Sequence, residues 1–191
     1  LSILGTPGIV VPFSTSAYTA CISQALDVAV AGGCRQVVLT TGGRSEKFAQ
    51  RLLQLPEEAF VQMGDFVGYA LKACSKRPIE SVTIAGFVGK LCKIAAGRLQ
   101  TPAKYSRMDM AFLSKLAGEC GASPAVAEQV FGANTARHAL EILEANRVEG
   151  FPERICGLVG ERMRELTSGR AAAECIMADF DGKVLGRAGL G

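Results

Sequence analysis

Length, composition and charge already exclude several classes of protein. The chain has 191 residues, of which 49% are hydrophobic and 20% charged, so it is long enough for one globular domain and is not a disordered chain. The formal net charge is only +3, tryptophan is absent, and no apolar stretch approaches the length of a membrane span. We therefore expect no nucleic-acid partner and no membrane partner.

A short pattern recurs in the first half of the chain and predicts a parallel sheet. In each copy an apolar run ends in a glycine-containing loop, and a helical pattern follows. The runs cover residues 1–4, 37–39, 60–63 and 82–85. One helix fits between successive members of the last three runs, which is typical of βαβ units.

Helical patterns occupy the intervals between these runs. They predict helices over residues 16–31, 45–53, 65–74 and 88–99, with Ser45 and Asp65 as N-caps. The following stretch predicts further helices over residues 106–120, 124–131, 135–147 and 153–167. Residues 173–180 and 183–187 then predict a β-hairpin that extends the sheet.

Together these elements predict one α/β ligand-binding domain over residues 1–191, with a mainly parallel sheet flanked by helices. It divides into strand-loop-helix units (1–100), a helical stretch (101–170) and the C-terminal β-hairpin (173–188). Because the sequence begins abruptly in an apolar run, we also expect that residues are missing upstream.

The glycine-containing loops should meet at one edge of this sheet. Crossover connections between parallel strands are right-handed, so every strand-to-helix loop leaves from the carboxyl edge. Open α/β sheets bind their ligands at that edge. The predicted site therefore consists of residues 5–13, 40–47, 63–68 and 86–93.

The chemistry of these loops favours an anionic ligand. Backbone N–H groups at helix N-termini suit carboxylate or phosphate. Basic side chains also lie close by in the sequence, namely Arg44, Lys47, Lys90, Lys93 and Lys104. The alternative, that these side chains only solvate helix faces, stays open. The residues alone thus indicate an α/β domain that binds a small anionic molecule.

Several familiar catalytic and metal-binding motifs are missing from the sequence. No strand is followed by G-x-G-x-x-G, no G-x-S-x-G occurs, and residues 86–91 depart from the P-loop spacing. The single histidine, His138, is expected at the surface or at the edge of the core. The seven cysteines form no C-x-x-C pair, so we expect buried free thiols, no protein-bound metal and a reducing, cytoplasmic compartment.

Four loop sequences are more specific, because they occur together in a fixed order. They are GTPGIVVP at residues 5–12, GGRSEKFA at 42–49, QMGDFVG at 62–68 and GKLCKIAAG at 89–97. Together with FDGKVLGR at residues 180–187, they resemble the cobalt-precorrin-5B C1-methyltransferase family (CbiD). The resemblance is strongest over residues 1–100.

The resemblance implies an S-adenosylmethionine-dependent C-methyltransferase of cobalamin biosynthesis. It would methylate C-1 of the corrin ring of cobalt-precorrin-5B to give cobalt-precorrin-6A. It implies a small-molecule corrinoid substrate, S-adenosylmethionine as methyl donor and a cytoplasmic enzyme, and it allows a homo-oligomer. It also implies an upstream domain, which we expect to be absent from this chain. Family members often carry histidine where this chain has Phe87, and a histidine-containing segment where it has residues 100–102. Proton transfer by those histidines therefore does not apply here.

No catalytic residue is assigned, because the sulfonium methyl is already activated and the enzyme mainly aligns the reactants and excludes water. The residues predicted to bind the donor are Gly42, Gly43, Glu46, Gly64, Asp65 and Gly68. The residues predicted to bind the ring are Thr6, Arg44, Gly89, Lys90 and Lys93. Asp65 or Glu46 would accept hydrogen bonds from ribose hydroxyls; alternatively, Asp65 is only an N-cap and Glu46 only a first-turn acid.

Two other functions stay open. The same scaffold suits an enzyme or binding protein for another anionic metabolite, which would lack affinity for S-adenosylmethionine. It also suits a non-catalytic interaction domain, with the chemistry carried by the upstream part.

Overall fold

A computed structural model describes residues 14–99 and 107–190, for Leu190 the backbone alone. The predicted first strand, residues 1–4, lies outside the described residues. So do the loop 5–13 with Thr6, and Lys104.

The strands of the described residues form one five-stranded sheet. They are β1 (Gln36–Thr40), β2 (Phe60–Gln62), β3 (Ser81–Phe87), β4 (Ala172–Ala178) and β5 (Val184–Leu190). The strand order is β2-β1-β3-β4-β5, in which β1 to β4 run parallel and β5 is antiparallel to β4. The prediction of a mainly parallel sheet extended by a C-terminal hairpin is confirmed.

The helices of the described residues follow the predicted order along the chain. They are α1 (Thr15–Ala31), α2 (Gly43–Leu52), α3 (Val67–Cys74), α4 (Val88–Ala95), α5 (Met110–Glu119), α6 (Pro124–Phe131), α7 (Ala136–Ala145) and α8 (Phe151–Thr167). Side-chain caps begin α1, α5, α6 and α7, where Ser14, Asp109, Ser123 and Thr135 each accept a hydrogen bond from the backbone N–H three residues further on.

Both predicted caps in the first half of the chain are wrong. Helix α2 begins at Gly43, so Ser45 lies inside its first turn, where its hydroxyl donates to the carbonyl of Gly42 over 2.7 Å. Helix α3 begins at Val67, and the residue before it, Phe66, makes no side-chain cap hydrogen bond. Asp65 instead lies in the loop after β2, where its carboxylate has another partner that is described below.

Helix α4 ends earlier than predicted. The pattern of apolar residues continues to residue 99, but the helix ends at Ala95. Gly97 adopts a left-handed conformation with φ of 82°. The N–H of Arg98 then donates to the carbonyl of Lys93 over 2.9 Å, which satisfies a carbonyl at the helix end. A glycine in this conformation ends the helix before the apolar pattern does.

Helices cover both faces of the sheet. The connection through α2 runs from β1 towards β2, whereas the connections through α3 and through α4–α8 run in the opposite direction. Because parallel crossovers are right-handed, α2 lies on one face, and α3 and α8 lie on the other. The contacts agree, since α2 packs on β1, β2 and β3, while α3 packs on α1 and α8. Strands β1 and β3 are therefore buried almost throughout.

The seven cysteines are unpaired and differ in their burial. The buried ones are Cys34, Cys74, Cys92, Cys156 and Cys175. Cys120 is half-buried and Cys21 is exposed. The expectation that all seven are buried is therefore wrong for Cys21, which lies on the outer face of α1.

Labelling of native thiols should follow this difference in burial. Burial raises the pKa of the Cys74 thiol to about 12, from an ordinary value of 9.0. At pH 8 only about one Cys74 in ten thousand then carries the reactive thiolate. We expect iodoacetamide to modify Cys21 readily in the folded protein and to leave Cys74 unmodified, as measured by mass spectrometry of peptides. Labelling in denaturant is the control and should modify both, whereas equal rates in the folded protein would contradict the burial of Cys74.

Candidate functional site

The order of the strands changes direction between β1 and β3. From β1 the chain continues to β2 on one side, and from β3 it continues to β4 on the other. The loops that leave β1 and β3 therefore diverge, and open α/β sheets bind ligands in the crevice between such loops. Thr40 lies beside Ala85 in the sheet, so the next residues, Thr41 and Gly86, border this crevice.

The two strand ends approach each other closely at the crevice. A Cβ atom on Gly86 would lie 2.8 Å from Cγ2 of Thr41 and 3.4 Å from Cδ2 of Leu91. The side chain of Thr41 is buried, and its Oγ1 shares a hydrogen bond of 3.1 Å with Oγ of Ser45. Glycine at position 86 therefore allows the two loops to come this close.

Lys90 connects three of the strand ends across the crevice. It lies in the first turn of α4, directly after β3. Its ammonium donates to the backbone oxygen of Thr41, after β1, over 3.1 Å. It also lies 2.9 Å from Oδ1 of Asp65, after β2. The side chains of Lys90 and Asp65 are 32% and 35% exposed, so a ligand in solution can reach the ion pair.

The N-terminal part of α1 covers the loop after β2. Gly64 has a φ of 55°, and a Cβ atom there would lie 2.5 Å from the hydroxyl of Tyr18. The ring of Tyr18 also packs on Phe66, with 5.0 Å between the ring centroids. Burial and, secondarily, the negative charge of Asp65 raise the pKa of the Tyr18 phenol. Tyr18 is therefore a neutral hydrogen-bonding group beside the Asp65 carboxylate at neutral pH.

A cavity of about 640 Å³, here called the central cavity, opens beside Lys90. Its walls come from the start of α4, the start of α7 and the hairpin between β4 and β5. The polar and charged side chains that line it are Asp65, Lys90, Lys93, Arg107, Asn134, Thr135, Arg137 and Asp179. The volume lies within the range of about 300–1,000 Å³ that is usual for ligand sites. Cations outnumber carboxylates in this lining, which favours an anionic ligand.

A second cavity of about 440 Å³, here called the α2 cavity, lies between α2 and the tip of the hairpin. Its cations are Arg44, Lys47 and Arg51. The rings of Phe87 and Phe180, whose centroids are 4.8 Å apart, line both cavities and form the wall between them. The carboxyl edge of the sheet thus carries two neighbouring cavities with cationic linings.

The residues predicted to bind the ring are divided between the two cavities. Gly89, Lys90 and Lys93 line the central cavity, while Arg44 lines the α2 cavity. Thr6 lies outside the described residues. Sequence analysis assigned these side chains to one ring site, whereas in the structure the rings of Phe87 and Phe180 lie between the cavity of Arg44 and that of the two lysines.

Most residues predicted to bind the donor lie towards β2. Gly42 and Gly43 begin α2, and Oε2 of Glu46 accepts a weak hydrogen bond of 3.5 Å from Thr40. Of the predicted donor residues, Asp65 lines the central cavity. Gly42 lies in the loop after β1, and Gly64 precedes Asp65 in the loop after β2.

Gly68 differs from the other residues predicted to bind the methyl donor because its backbone is buried inside helix α3. Its N–H donates to the carbonyl of Leu99 over 3.1 Å, and a Cβ atom there would lie 3.1 Å from Cβ of Leu99. Glycine at this position therefore serves the packing of α3 against the chain after α4. We do not include Gly68 in the proposed site, since its amide already has a partner within the protein.

Sequence analysis missed two walls of the central cavity. Arg107 and Arg137 come from the helical stretch, and Asp179 and Phe180 come from the hairpin. Our prediction used only the loops that follow parallel strands, so these segments were not considered. The motif FDGKVLGR at residues 180–187 contributed to the family resemblance. It was therefore a signal that could have led us to include the hairpin in the predicted site. His138 is exposed, as expected.

The described ranges, 14–99 and 107–190, contain neither a cluster of metal ligands nor a membrane-spanning helix. No group of three or more histidine, cysteine, aspartate or glutamate side chains is placed to hold a metal ion. Among the helices of the same ranges, none combines the length and the apolar character needed to cross a membrane.

Comparisons with known proteins relate the sequence of this chain to a family. Residues 100–189 match the family model described as CbiD, C-terminal domain. The protein named cobalt-precorrin-5B C(1)-methyltransferase from Geobacillus sp. (strain WCH70) is 45% identical over 189 residues, which are 98% of this chain and 52% of the relative. The chain belongs to the CbiD family. The resemblance inferred from the loop sequences is confirmed.

Other bacteria carry relatives of the same name. The Priestia megaterium protein is 48% identical over 157 residues, which are 82% of this chain and 43% of the relative. The Thermus thermophilus protein is 42% identical over 182 residues, which are 95% of this chain and 50% of the relative. This CbiD chain thus spans about half the length of the curated relatives that it matches. No solved structure matches it.

Proposed function

We propose that this chain carries the ligand-binding site of an S-adenosylmethionine-dependent C-methyltransferase. The enzyme would methylate C-1 of the corrin ring of cobalt-precorrin-5B and give cobalt-precorrin-6A in cobalamin biosynthesis. Membership of the CbiD family and the names of the relatives support this reaction. The observation that carries the proposal for this chain is the cation-lined central cavity at the crevice between β1 and β3.

In this proposal the central cavity holds the ring. A corrin precursor carries many acetate and propionate side chains, and the ammonium groups of Lys90 and Lys93 are placed to bind carboxylates. Gly89 lines the cavity without a side chain, and a Cβ atom there would meet no atom within 4 Å, so the backbone is open to a ligand. Phe87 and Leu185 add an apolar surface beside these cations.

The donor would bind on the β1–β2 side of the same edge. The start of α2 at Gly42 and Gly43 presents backbone N–H groups and the positive end of the helix dipole to the amino-acid carboxylate of S-adenosylmethionine. Asp65 or Glu46 would accept hydrogen bonds from the ribose hydroxyls. Gly64 would contribute only its backbone, since the hydroxyl of Tyr18 fills the position of a Cβ atom there. Asp65 lines the central cavity as well, so a donor held there adjoins the ring.

The reaction needs alignment more than it needs a proton-transfer group. The S–CH₃ bond of the donor breaks, a C–CH₃ bond forms at C-1, and S-adenosylhomocysteine leaves with the electron pair. The residues of the site would hold the methyl group in line with the ring carbon and keep water out of the cavity. The unpaired, mostly buried cysteines are consistent with a reducing compartment, and we place the enzyme in the cytoplasm.

Methyl transfer can be measured with S-adenosylmethionine that carries a ¹³C-labelled methyl group and enzymatically prepared cobalt-precorrin-5B. We expect the label to appear at C-1 of the product, as detected by mass spectrometry and NMR. The Geobacillus relative is the positive control for the assay. A chain that binds neither the donor nor the ring by calorimetry, under conditions in which the relative binds both, would contradict the proposal. A chain that binds another anionic metabolite but not the donor would support the alternative of a differently specific domain.

A further inference from the structure

Three cations of α2 lie on one face of the helix and line the α2 cavity. Arg44, Lys47 and Arg51 are spaced three and four residues apart, which places them next to one another along the helix. Within the ranges 14–99 and 107–190, none of the three has a hydrogen bond or an ion pair through its side chain. Three neighbouring cations that share a cavity and lack a protein partner are suited to an anionic ligand.

The acidic residues of the hairpin, Asp179 and Asp181, also line the α2 cavity, but within the described residues neither forms an ion pair with these cations. Oδ1 of Asp179 accepts hydrogen bonds from the backbone N–H groups of Asp181, over 3.0 Å, and Lys183, over 2.8 Å. This carboxylate therefore stabilises the turn of the hairpin. Asp181 is exposed at the tip of the turn, and no ion pair within 4.0 Å links it to α2 in the described residues.

The wall between the two cavities is apolar and partly exposed. Phe180 is 66% exposed, although it packs on Phe87. Exposure of a large aromatic ring at the rim of two cationic cavities leaves an apolar surface with positive charge on both sides, although the two rings are inclined by 48° to each other. Such a surface matches a ligand that is flat and conjugated at its centre and carries carboxylates around its perimeter.

We infer that one ring lies across the Phe87–Phe180 wall and places carboxylates in both cavities. In the central cavity, the carboxylates of the ring bind to Lys90 and Lys93. In the α2 cavity, they bind to Arg44, Lys47 and Arg51. The identity of the ring as a corrin rests on the proposed function, whereas the two-sided arrangement of cations comes from the structure. Phe180, Lys47 and Arg51 are thereby assigned to ring binding, which sequence analysis did not do.

The test compares two corrin probes by calorimetry. The first is cobyrinic acid, whose peripheral carboxylates are free, and the second is the same corrin with those carboxylates converted to amides. The test variant is Lys47→Gln/Arg51→Gln. The matched control is Lys115→Gln/Arg164→Gln, which removes the same charge from exposed positions that line neither cavity.

We expect the test variant to bind the acid about tenfold more weakly than the unchanged chain, and the control to bind it equally well. Affinity for the amide should change in neither variant, and the effect on the acid should shrink as salt rises. Phe180→Ala should weaken both probes, because it removes apolar contact, and Phe180→Leu should recover part of the loss.

Three outcomes would overturn the inference: no change in the test variant, an equal loss for both probes, or no binding of either probe to the unchanged chain. Failure of the proposed function gives a different result. A chain that binds the acid with the expected dependence on Lys47 and Arg51, but transfers no methyl group, supports the two-sided ring site and contradicts the proposed reaction.

Discussion

Replacement of Lys90 by methionine is expected to weaken the binding of cobyrinic acid about ten- to a hundredfold. Methionine keeps much of the apolar stem but removes the ammonium that bridges Thr41 and Asp65. A charge-assisted contact typically contributes about 1.5–3 kcal/mol, which corresponds to that range. The loss should shrink with increasing salt, because Lys90 is partly exposed. Calorimetry at two salt concentrations measures both effects.

Lys115→Met is the matched control, since Lys115 is exposed on α5 and lines neither cavity. It should bind cobyrinic acid as the unchanged chain does. Thermal unfolding shows whether each variant is folded. An affinity for cobyrinic acid that Lys90→Met leaves unchanged, in a folded protein, would exclude Lys90 from the ring site.

The ion pair between Asp65 and Lys90 affects how variants of the two residues should be compared. From sequence, we predict that Asp65→Ala weakens only the donor and Lys90→Ala only the ring. In the structure the two side chains lie 2.9 Å apart, so each change also alters the environment of the other residue. A double-mutant cycle with Asp65→Asn and Lys90→Met, measured for each ligand separately, tests this. A coupling energy near zero supports independent roles, and one above about 0.5 kcal/mol shows that the pair acts as a unit.

Replacement of Gly186 by alanine is expected to destabilise the protein by about 1–3 kcal/mol. A Cβ atom at this position of β5 would lie 2.7 Å from the backbone carbon and from Cβ of Pro152, and 2.8 Å from the backbone nitrogen of Glu153. Because two of these atoms belong to the backbone at the start of α8, a change of rotamer cannot relieve the contact. Either β5 or α8 must move.

Gly189→Ala in the same strand is the matched control, because a Cβ atom there meets nothing within 4 Å. We expect Gly186→Ala to lower the midpoint of thermal unfolding by about 2–10 °C and the control to change it little. Since β5 forms one arm of the hairpin that carries Phe180, Gly186→Ala should also weaken the binding of cobyrinic acid. An equal stability of the two variants would contradict the close packing of β5 on α8.

The fold could be predicted because short stretches of sequence indicate its strands and its C-terminal turn. Apolar runs followed by glycine-containing loops predicted β1, β2 and β3, and the Asp181-Gly182 turn predicted the hairpin. The residues that predict where a helix begins were less reliable. Ser45 and Asp65 both precede apolar helical patterns, yet neither caps a helix. In each case a hydrogen bond or ion pair to another residue competes with the cap.

The candidate site could be predicted only in part. Handedness of the crossovers places the loops after parallel strands at one edge, so Gly89, Lys90 and Lys93 could be identified without coordinates. Arg137 could not, because the chain returns to this edge through α7 only after a long interval. Phe180 was indicated only by the family motif at residues 180–187 and not by the topology of the parallel strands. No local pattern encodes which later segment closes a cavity.

By itself, the sequence determined that this is an α/β protein of the CbiD family with its strand-to-helix loops at a common edge. Periodicity, turn residues and loop motifs depend on a few neighbouring residues, and they are therefore readable along the chain. Only the tertiary structure decided that Lys90 pairs with Asp65 and that the Phe87–Phe180 wall divides two cationic cavities. These contacts join residues far apart in sequence, and they follow from the strand order β2-β1-β3-β4-β5 and from the packing of the later helices, which local patterns do not specify.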